Sequence, residues 1–316
     1  MPEEQKNTPE MNKEEKDLAN FESEMNNAKD SSSAEKVVKE KLEWGKAKLV
    51  AQNFDKVAEK VKDSEKLKSF VNKIDEKGCL NEMAWSLKSV KNAETVKFVV
   101  DKVINSTDEK CVKEYAKNVD WGVINKIWSK SAKEFINKIE EIGSLNSMAS
   151  CIYKLNDAEI INHTMAKVNK SDKNCVEDFS RNIDGKTLNK LEPNNAKWFI
   201  DKVEEAWSLK NIASKINTIK DKDVVNYTVN KVTEKWDEYC LKEFSKNLGT
   251  NALKSMKVDD INSFARKSLM KWGNECAKAM ESNKALMSKI DKWTSSLIKE
   301  YANEADTALD KQLDNI

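Results

Sequence analysis

Apolar residues recur along this chain at helical intervals rather than in strand-like alternation. Phe135, Ile136, Ile139 and Ile142 are followed by Leu145, Met148, Ala149 and Ile152, then by Ile161, Thr164, Met165 and Val168, and then by Cys175, Phe179, Ser180 and Ile183. Each set collects on one face of a helix, so the pattern predicts four amphipathic helices in succession. The same series returns before and after this stretch, with Phe70, Phe135, Phe199 and Phe264 marking the starts.

The clearest recurrence is CLKEFSKNL at 240–248, matched by CVKEYAKNV at 111–119, CVEDFSRNI at 175–183 and LIKEYANEA at 297–305, at steps of 64, 65 and 57 residues. Self-similarity at such a period is the mark of stacked supersecondary units, each burying a face that it cannot bury by itself. Full repeats fall at 66–130, 131–194 and 195–259, with a shortened repeat at 260–316. Each is itself double: superposing 199–216 on 228–248 places Val203 on Val232, Trp207 on Trp236, Ile212 on Phe244 and Ile216 on Leu248. The unit is a helical hairpin of about 32 residues, paired into a repeat of about 65. A short extra helix is expected after each second hairpin, in VINKIW (123–128), TLNKL (187–191) and ALKSM (252–256).

Residues 35–65, where KLVAQNF (48–54) echoes KEFSKNL, read as an N-terminal cap. Residues 1–34 carry few apolar side chains and are expected to be a disordered polar tail. The expected fold is all-α, an α-solenoid of hairpin repeats over 35–316. The neighbouring tetratricopeptide pattern, with its Trp-x-x-Leu-Gly opening and closing proline, does not recur. Composition agrees with the helical reading, since seven Gly and three Pro leave long stretches free of helix breakers.

Charge narrows the function. Charged residues make up 34% of the chain, yet 55 Lys plus Arg nearly cancel 54 Asp plus Glu, which argues against a field that gathers nucleic acid or anionic membrane. All the basic residues except Arg181 and Arg266 are lysine, so the planar fork that reads phosphates and base edges is scarce. This lysine bias, with abundant Asn and Ile, suits an AT-rich genome such as that of an intracellular bacterium or a parasite. The N-terminus, MPEEQKNTPEMNKEEKD, lacks the apolar core of a signal peptide, so the expected location is cytoplasmic, with delivery into a host cell by another route as the corollary.

Candidate chemistry is sparse. His163 is the single histidine, standing where the repeats carry Phe98 and Tyr227, and reads as a filled aromatic slot. Cys111, Cys175 and Cys240 share a position that Leu297 fills in the last copy, the mark of a small apolar core site and not of a disulfide or zinc set. Asn118, Asn182 and Asn247 end the fourth helix of each repeat as stop signals able to adopt left-handed backbone, and Gly78, Gly143 and Gly273 mark hairpin turns. Trp207, Trp236, Trp272 and Trp293 correspond, and are expected to pack between repeats. Trp85, Trp121, Trp128 and Trp198 share no slot and are expected at the surface.

Lys73, Lys102, Lys138, Lys167, Lys202, Lys231, Lys267 and Lys289 recur in register, which would make a ladder along one side. A solvated lysine late in a helix meets the negative end of its dipole, and that reading stands beside a polyanion track. No Gly-rich phosphate loop, nucleophile elbow or metal motif is present, so neither catalytic residues, a cofactor nor a metal is expected. The expected function is a non-enzymatic scaffold that binds a protein partner, such as a host protein met by an effector or symbiosis factor of an intracellular bacterium. The alternative is a polyanion binder using the lysine ladder.

Overall fold

The computed structural model describes residues 12–118, 121–234 and 237–313, which form helices and connecting turns with no strand among them. The side chains of Trp121, Cys151 and residues 305–313 fall outside that description. The chain divides into two compact units, Met1–Ser144 and Leu145–Ile316.

The first unit holds α1 (Lys13–Asn27), α2 (Ser31–Glu43), α3 (Ala47–Gln52), α4 (Phe54–Lys60), α5 (Ser64–Glu76), α6 (Ala93–Ile104), α7 (Glu109–Asn118), α8 (Trp121–Ile124) and α9 (Ser129–Glu141), with tight 3-10 turns at Leu80–Met83 and Ser86–Ser89. Neighbours in sequence are neighbours in space. One row runs α5, α6, α9, and a second runs α3, Leu80–Met83, α7. Between the rows lie Val50, Phe54, Phe70, Val71, Met83, Val99 and Tyr115, all 2% exposed or less. The Tyr115 hydroxyl donates to the Leu80 carbonyl at 3.0 Å, so a buried phenol is satisfied without leaving the core.

Residues 1–11 of the expected disordered tail lie outside the described residues. From Lys13 onward the expectation is overturned, because α1 is a capped helix that buries Phe21 and Met25 at 0% and 1% exposure. Its start is fixed by a reciprocal box in which Asn12 and Glu15 each accept from the other's backbone N–H, both at 2.9 Å. Three lysines, Lys41, Lys46 and Lys56, then reach back to Glu24, Asp17 and Glu22 on α1. Two large apolar residues one helical turn apart suffice when a hairpin, α2 to α4, is there to receive them; low mean hydropathy concealed that pair.

The second unit opens with a 3-10 stretch at Leu145–Lys154, followed by α10 (Ala158–Val168), α11 (Lys173–Asn182), α12 (Gly185–Leu188), α13 (Pro193–Glu205), α14 (Lys210–Ala213), a 3-10 turn at Ile216–Thr218, α15 (Lys222–Glu234), α16 (Glu238–Asn247), α17 (Thr250–Ser255), α18 (Val258–Glu281), α19 (Lys284–Met287) and α20 (Lys292–Leu313). Again α10, α13, α15 and α18 follow one another in one row, and Leu145–Lys154, α11, α14, α16 and α18 in the other. The short helices expected after the second hairpins are α8, α12 and α17. The helix expected around Leu145–Ile152 is wound as 3-10 instead, although Leu145, Met148, Ala149 and Ile152 are buried as the spacing requires.

Helix starts and stops follow local chemistry. Asp63, Asn92, Asp157, Asp172 and Asp237 each accept a backbone N–H from the first turn of α5, α6, α10, α11 and α16. After α5 and α9, Gly78 and Gly143 stand in left-handed backbone (φ 66° and 64°), as Gly45 does after α2 (φ 74°). Gly273 (φ 36°), with Trp272 before it, breaks α18 into two arms. The second arm carries Cys276, buried, with Asn283 seven residues on, the spacing found in Cys111–Asn118, Cys175–Asn182 and Cys240–Asn247. This corrects the sequence reading: Cys276 takes the buried slot in the last copy, while Leu297 is half-buried.

Candidate interaction surface

Helices α7, α11 and α16 present the same exposed pattern three times. Glu114, Asp178 and Glu243 face Lys117, Arg181 and Lys246 one turn later at 3.5, 3.5 and 3.0 Å. Asn118, Asn182 and Asn247 donate their Nδ2 to the backbone carbonyls of those same acids at 2.9, 2.8 and 2.8 Å. Asn53 does likewise to Leu49 at 3.0 Å. The asparagines therefore end these helices through a side-chain amide that satisfies an orphan carbonyl. Left-handed backbone has no part in it, since Trp207 is the one non-glycine with positive φ among the described residues.

The lysine ladder is broken in register and partly neutralised. Lys73, Lys102, Lys138, Lys167, Lys202 and Lys231 lie in the last turns of α5, α6, α9, α10, α13 and α15. Lys267 keeps the register, near the end of the first arm of α18 and five residues before the break at Trp272, whereas Lys289 leaves it, in the turn after α19, because the last repeat is shortened. Lys102 reaches Asp75 at 2.7 Å, Lys138 reaches Glu141 at 3.7 Å and Lys202 reaches Glu205 at 2.6 Å. Lys231 sits between Asp201 and Glu204 at 2.9 and 3.1 Å, and hydrogen bonds to those carboxylates hold its ammonium well above the usual lysine range. Beside these cations stand the half-buried rings of the aromatic slot. Lys102 Nζ is 5.7 Å from the Phe98 centroid and Lys231 Nζ 5.4 Å from that of Tyr227, whose hydroxyl also donates to Asp201. His163 occupies the equivalent place on α10, half-buried like the other two.

Aromatic exposure is the dominant surface feature. Trp85, between the two 3-10 turns, is 63% exposed, and Trp128, preceding α9, is 73% exposed. Trp198 on α13 is 37% exposed, and the Trp121 side chain lies outside the described residues. The expected packing role of the second tryptophan set is overturned at its three described members, Trp272 being 36% exposed. Trp207 is 68% exposed and Trp293 61%, while Trp272 borders the α18 break and Trp236 lies outside the described residues. Trp207 and Trp293 each stand at a helix end, the first directly after α13 and the second in the first turn of α20, where the ring can swing to solvent. Trp44, at the end of α2, adds another ring, 62% exposed.

Several of these rings hold a cation: Lys88 Nζ lies 3.1 Å from the Trp85 centroid, Lys41 Nζ 5.1 Å from that of Trp44, Lys97 Nζ 5.5 Å from that of Trp128, and the Arg266 guanidinium 4.5 Å from that of Trp293. Trp207 is conformationally unusual. It has φ 58° directly after α13, at the position that Gly78 and Gly143 take after their helices. Its N–H donates to Glu204 and the Ser208 N–H to Val203, both at 2.9 Å, the paired bonds of a Schellman stop. A bulky residue there costs about 1–2 kcal/mol.

Cys111, Cys175 and Cys276 are buried thiols. Burial pushes the Cys111 thiol up to about 12 and those of Cys175 and Cys276 to about 11. Among the described residues, no group of three or more His, Cys, Asp or Glu is placed to hold a metal ion, and no helix is long and apolar enough to cross a membrane. Sequence reasoning passed over Glu82, Glu114 and Trp44; for Glu114 a signal existed, since its acid, the basic residue after it and the asparagine repeat together. No family model and no curated protein matches the chain.

Proposed function

We propose that this chain is a non-enzymatic interaction scaffold, an α-solenoid of hairpins of about 32 residues paired into repeats of about 65, that binds a protein partner through exposed aromatics on its helical frame. The observation that carries the reading is the exposure of Trp85, Trp128, Trp207 and Trp293, each above 60%, in turns or at helix ends. Tryptophan is seldom left so bare, and it is the residue that most often supplies binding energy when covered. The repeating acid, base and amide pattern on α7, α11 and α16 supports the array, because equivalent residues make equivalent bonds in successive copies. Composition supports a cytosolic setting and an effector of an intracellular bacterium acting on host proteins.

The test is cross-linked capture from host-cell and bacterial lysates with the full chain, comparing wild type with a Trp85→Ser/Trp128→Ser variant of unchanged circular dichroism. A defined partner held by the wild type and lost from the variant is expected. Lys138, Lys202, Lys231 and Lys267 changed together to Gln should leave capture intact. The reading is overturned if the bound material is nucleic acid whose affinity falls about a thousandfold between ~50 and ~200 mM salt, the behaviour of a polyanion track of many contacts.

A further inference from the structure

The scaffold reading leaves the chemistry of the partner open, and the first unit narrows it. A surface trough there has two parts joined at Gln52, the last residue of α3. The first part is bordered by Glu14, Asp17, Leu18 and Lys46, and the second, of about 350 Å³, by Glu82, Trp85, Glu114 and Asn118. In the first part Lys46 neutralises Asp17 at 2.7 Å. The second part is less balanced. Glu114 shares Lys117 at 3.5 Å and the Asn118 amide at 3.3 Å. Glu82 accepts a neutral amide, Gln52 Nε2 at 2.8 Å, and meets no cation within ion-pair distance among the described residues.

The 63% exposed ring of Trp85 lines the same part of the trough and already takes an ammonium, that of Lys88, at 3.1 Å from its centroid. The molecule thus supplies its own example of what the ring accepts. A carboxylate short of a counter-charge beside an aromatic face is complementary to a cation on a flexible stem. The amides of Gln52, Asn81 and Asn118 line the same part of the trough and can pair with the main chain of a segment lying along it. An acidic segment or a phosphate chain would meet Glu82 and Glu114 unfavourably.

We propose that this trough docks a lysine- or arginine-bearing segment of the partner protein, with its cation seated between Glu82 and Trp85. The proposal rests on the scaffold reading above, and its test is separable from that of the reading. Fluorescence anisotropy of a labelled Gly-Ser-Lys repeat peptide, and of its Glu-for-Lys counterpart, is measured against the full chain. The lysine probe should saturate and the glutamate probe should not bind. Glu82→Gln and Trp85→Ala should each weaken the lysine probe about twofold to fivefold, the range of one exposed charged or cation–π contact. Glu243→Gln, on the second unit, should leave it unchanged. Glu82→Lys should reverse the preference toward the glutamate probe, a gain that damaged folding would not produce. If the two probes bind alike, if neither binds, or if Glu82→Gln binds as wild type, the trough proposal falls. Should tryptophan-dependent capture of a protein persist in that case, the scaffold reading stands without it. Should capture prove independent of the tryptophans, the scaffold reading falls whatever the peptides do.

Discussion

Asn169 closes α10 with its side chain 1% exposed, and neither its Nδ2 nor its Oδ1 has a hydrogen-bond partner. Its repeat equivalents are Ile104 and Thr233. Thr233, at 6% exposure, solves the same burial by donating its hydroxyl to the Val229 carbonyl one turn back at 2.6 Å. Asn169→Thr places that solution on α10, where the Met165 carbonyl corresponds to that of Val229. The two side chains are close in size, so no cavity is opened. What changes is the removal of an unsatisfied buried amide, a desolvation cost of about 1–3 kcal/mol. The variant should therefore be more stable by about that amount, a rise of roughly 2–4 °C in melting temperature per kcal/mol for a domain of this size. Urea unfolding followed by helical circular dichroism, with the slope unchanged and the midpoint raised, is the measurement. Equal or lower stability would refute the reasoning and indicate that the amide is satisfied by a buried water.

A Cβ on Gly185 would lie 1.6 Å from Thr218 Oγ1, so Gly185→Ala should cost about 1–3 kcal/mol, read as a lowered melting temperature. In the native protein, thiol labelling resolved by mass spectrometry should modify half-exposed Cys79 well before Cys111, Cys175 or Cys276, whose burial disfavours the thiolate; comparable rates would contradict the core assignment. Burial pulls the Lys215 ammonium down to about 8 from 10.5, while its Nζ donates to the Ser180 and Arg181 carbonyls at the end of α11. Between those two values the unfolded chain holds a proton that the folded chain has lost, so this lysine's contribution to stability rises with pH across the window. The stability of wild type minus that of Lys215→Met should climb from pH 8 to 10.5, and a flat or falling difference would show that the amine is solvated.

The helical class and most helix faces were legible because buried positions such as Phe135, Ile136 and Ile139 keep a period that burial itself enforces. The Cys111, Cys175 and Cys240 core slot was legible for the same reason. Cys276 breaks the longer period, since it follows Cys240 by 36 residues, and Leu297 lies nearer to the spacing of the other copies. α1 escaped because Phe21 and Met25 are few, and their burial depends on a receiving surface supplied by α2 and α4. Exposure of Trp207 and Trp293 could not be read, since a helix end lets the same residue face inward or outward at little difference in local pattern. The trough needed three elements distant in sequence, α3, Leu80–Met83 and α7, to bring Gln52, Glu82 and Glu114 to one place.

Trp207 shows that the left-handed position after a long helix tolerates a side chain, provided the paired Schellman bonds hold. At Gly45, Gly78 and Gly143 a Cβ would meet nothing within 4 Å, so the obstacle to a side chain there is torsional and not spatial. That obstacle is about 1–2 kcal/mol, within the margin of a stable domain. The hairpin turns are therefore rewritable display positions: new recognition groups can be installed on them one at a time, each without repacking the helices beneath. Diversification of such a protein can proceed at its turns while the interior stays fixed.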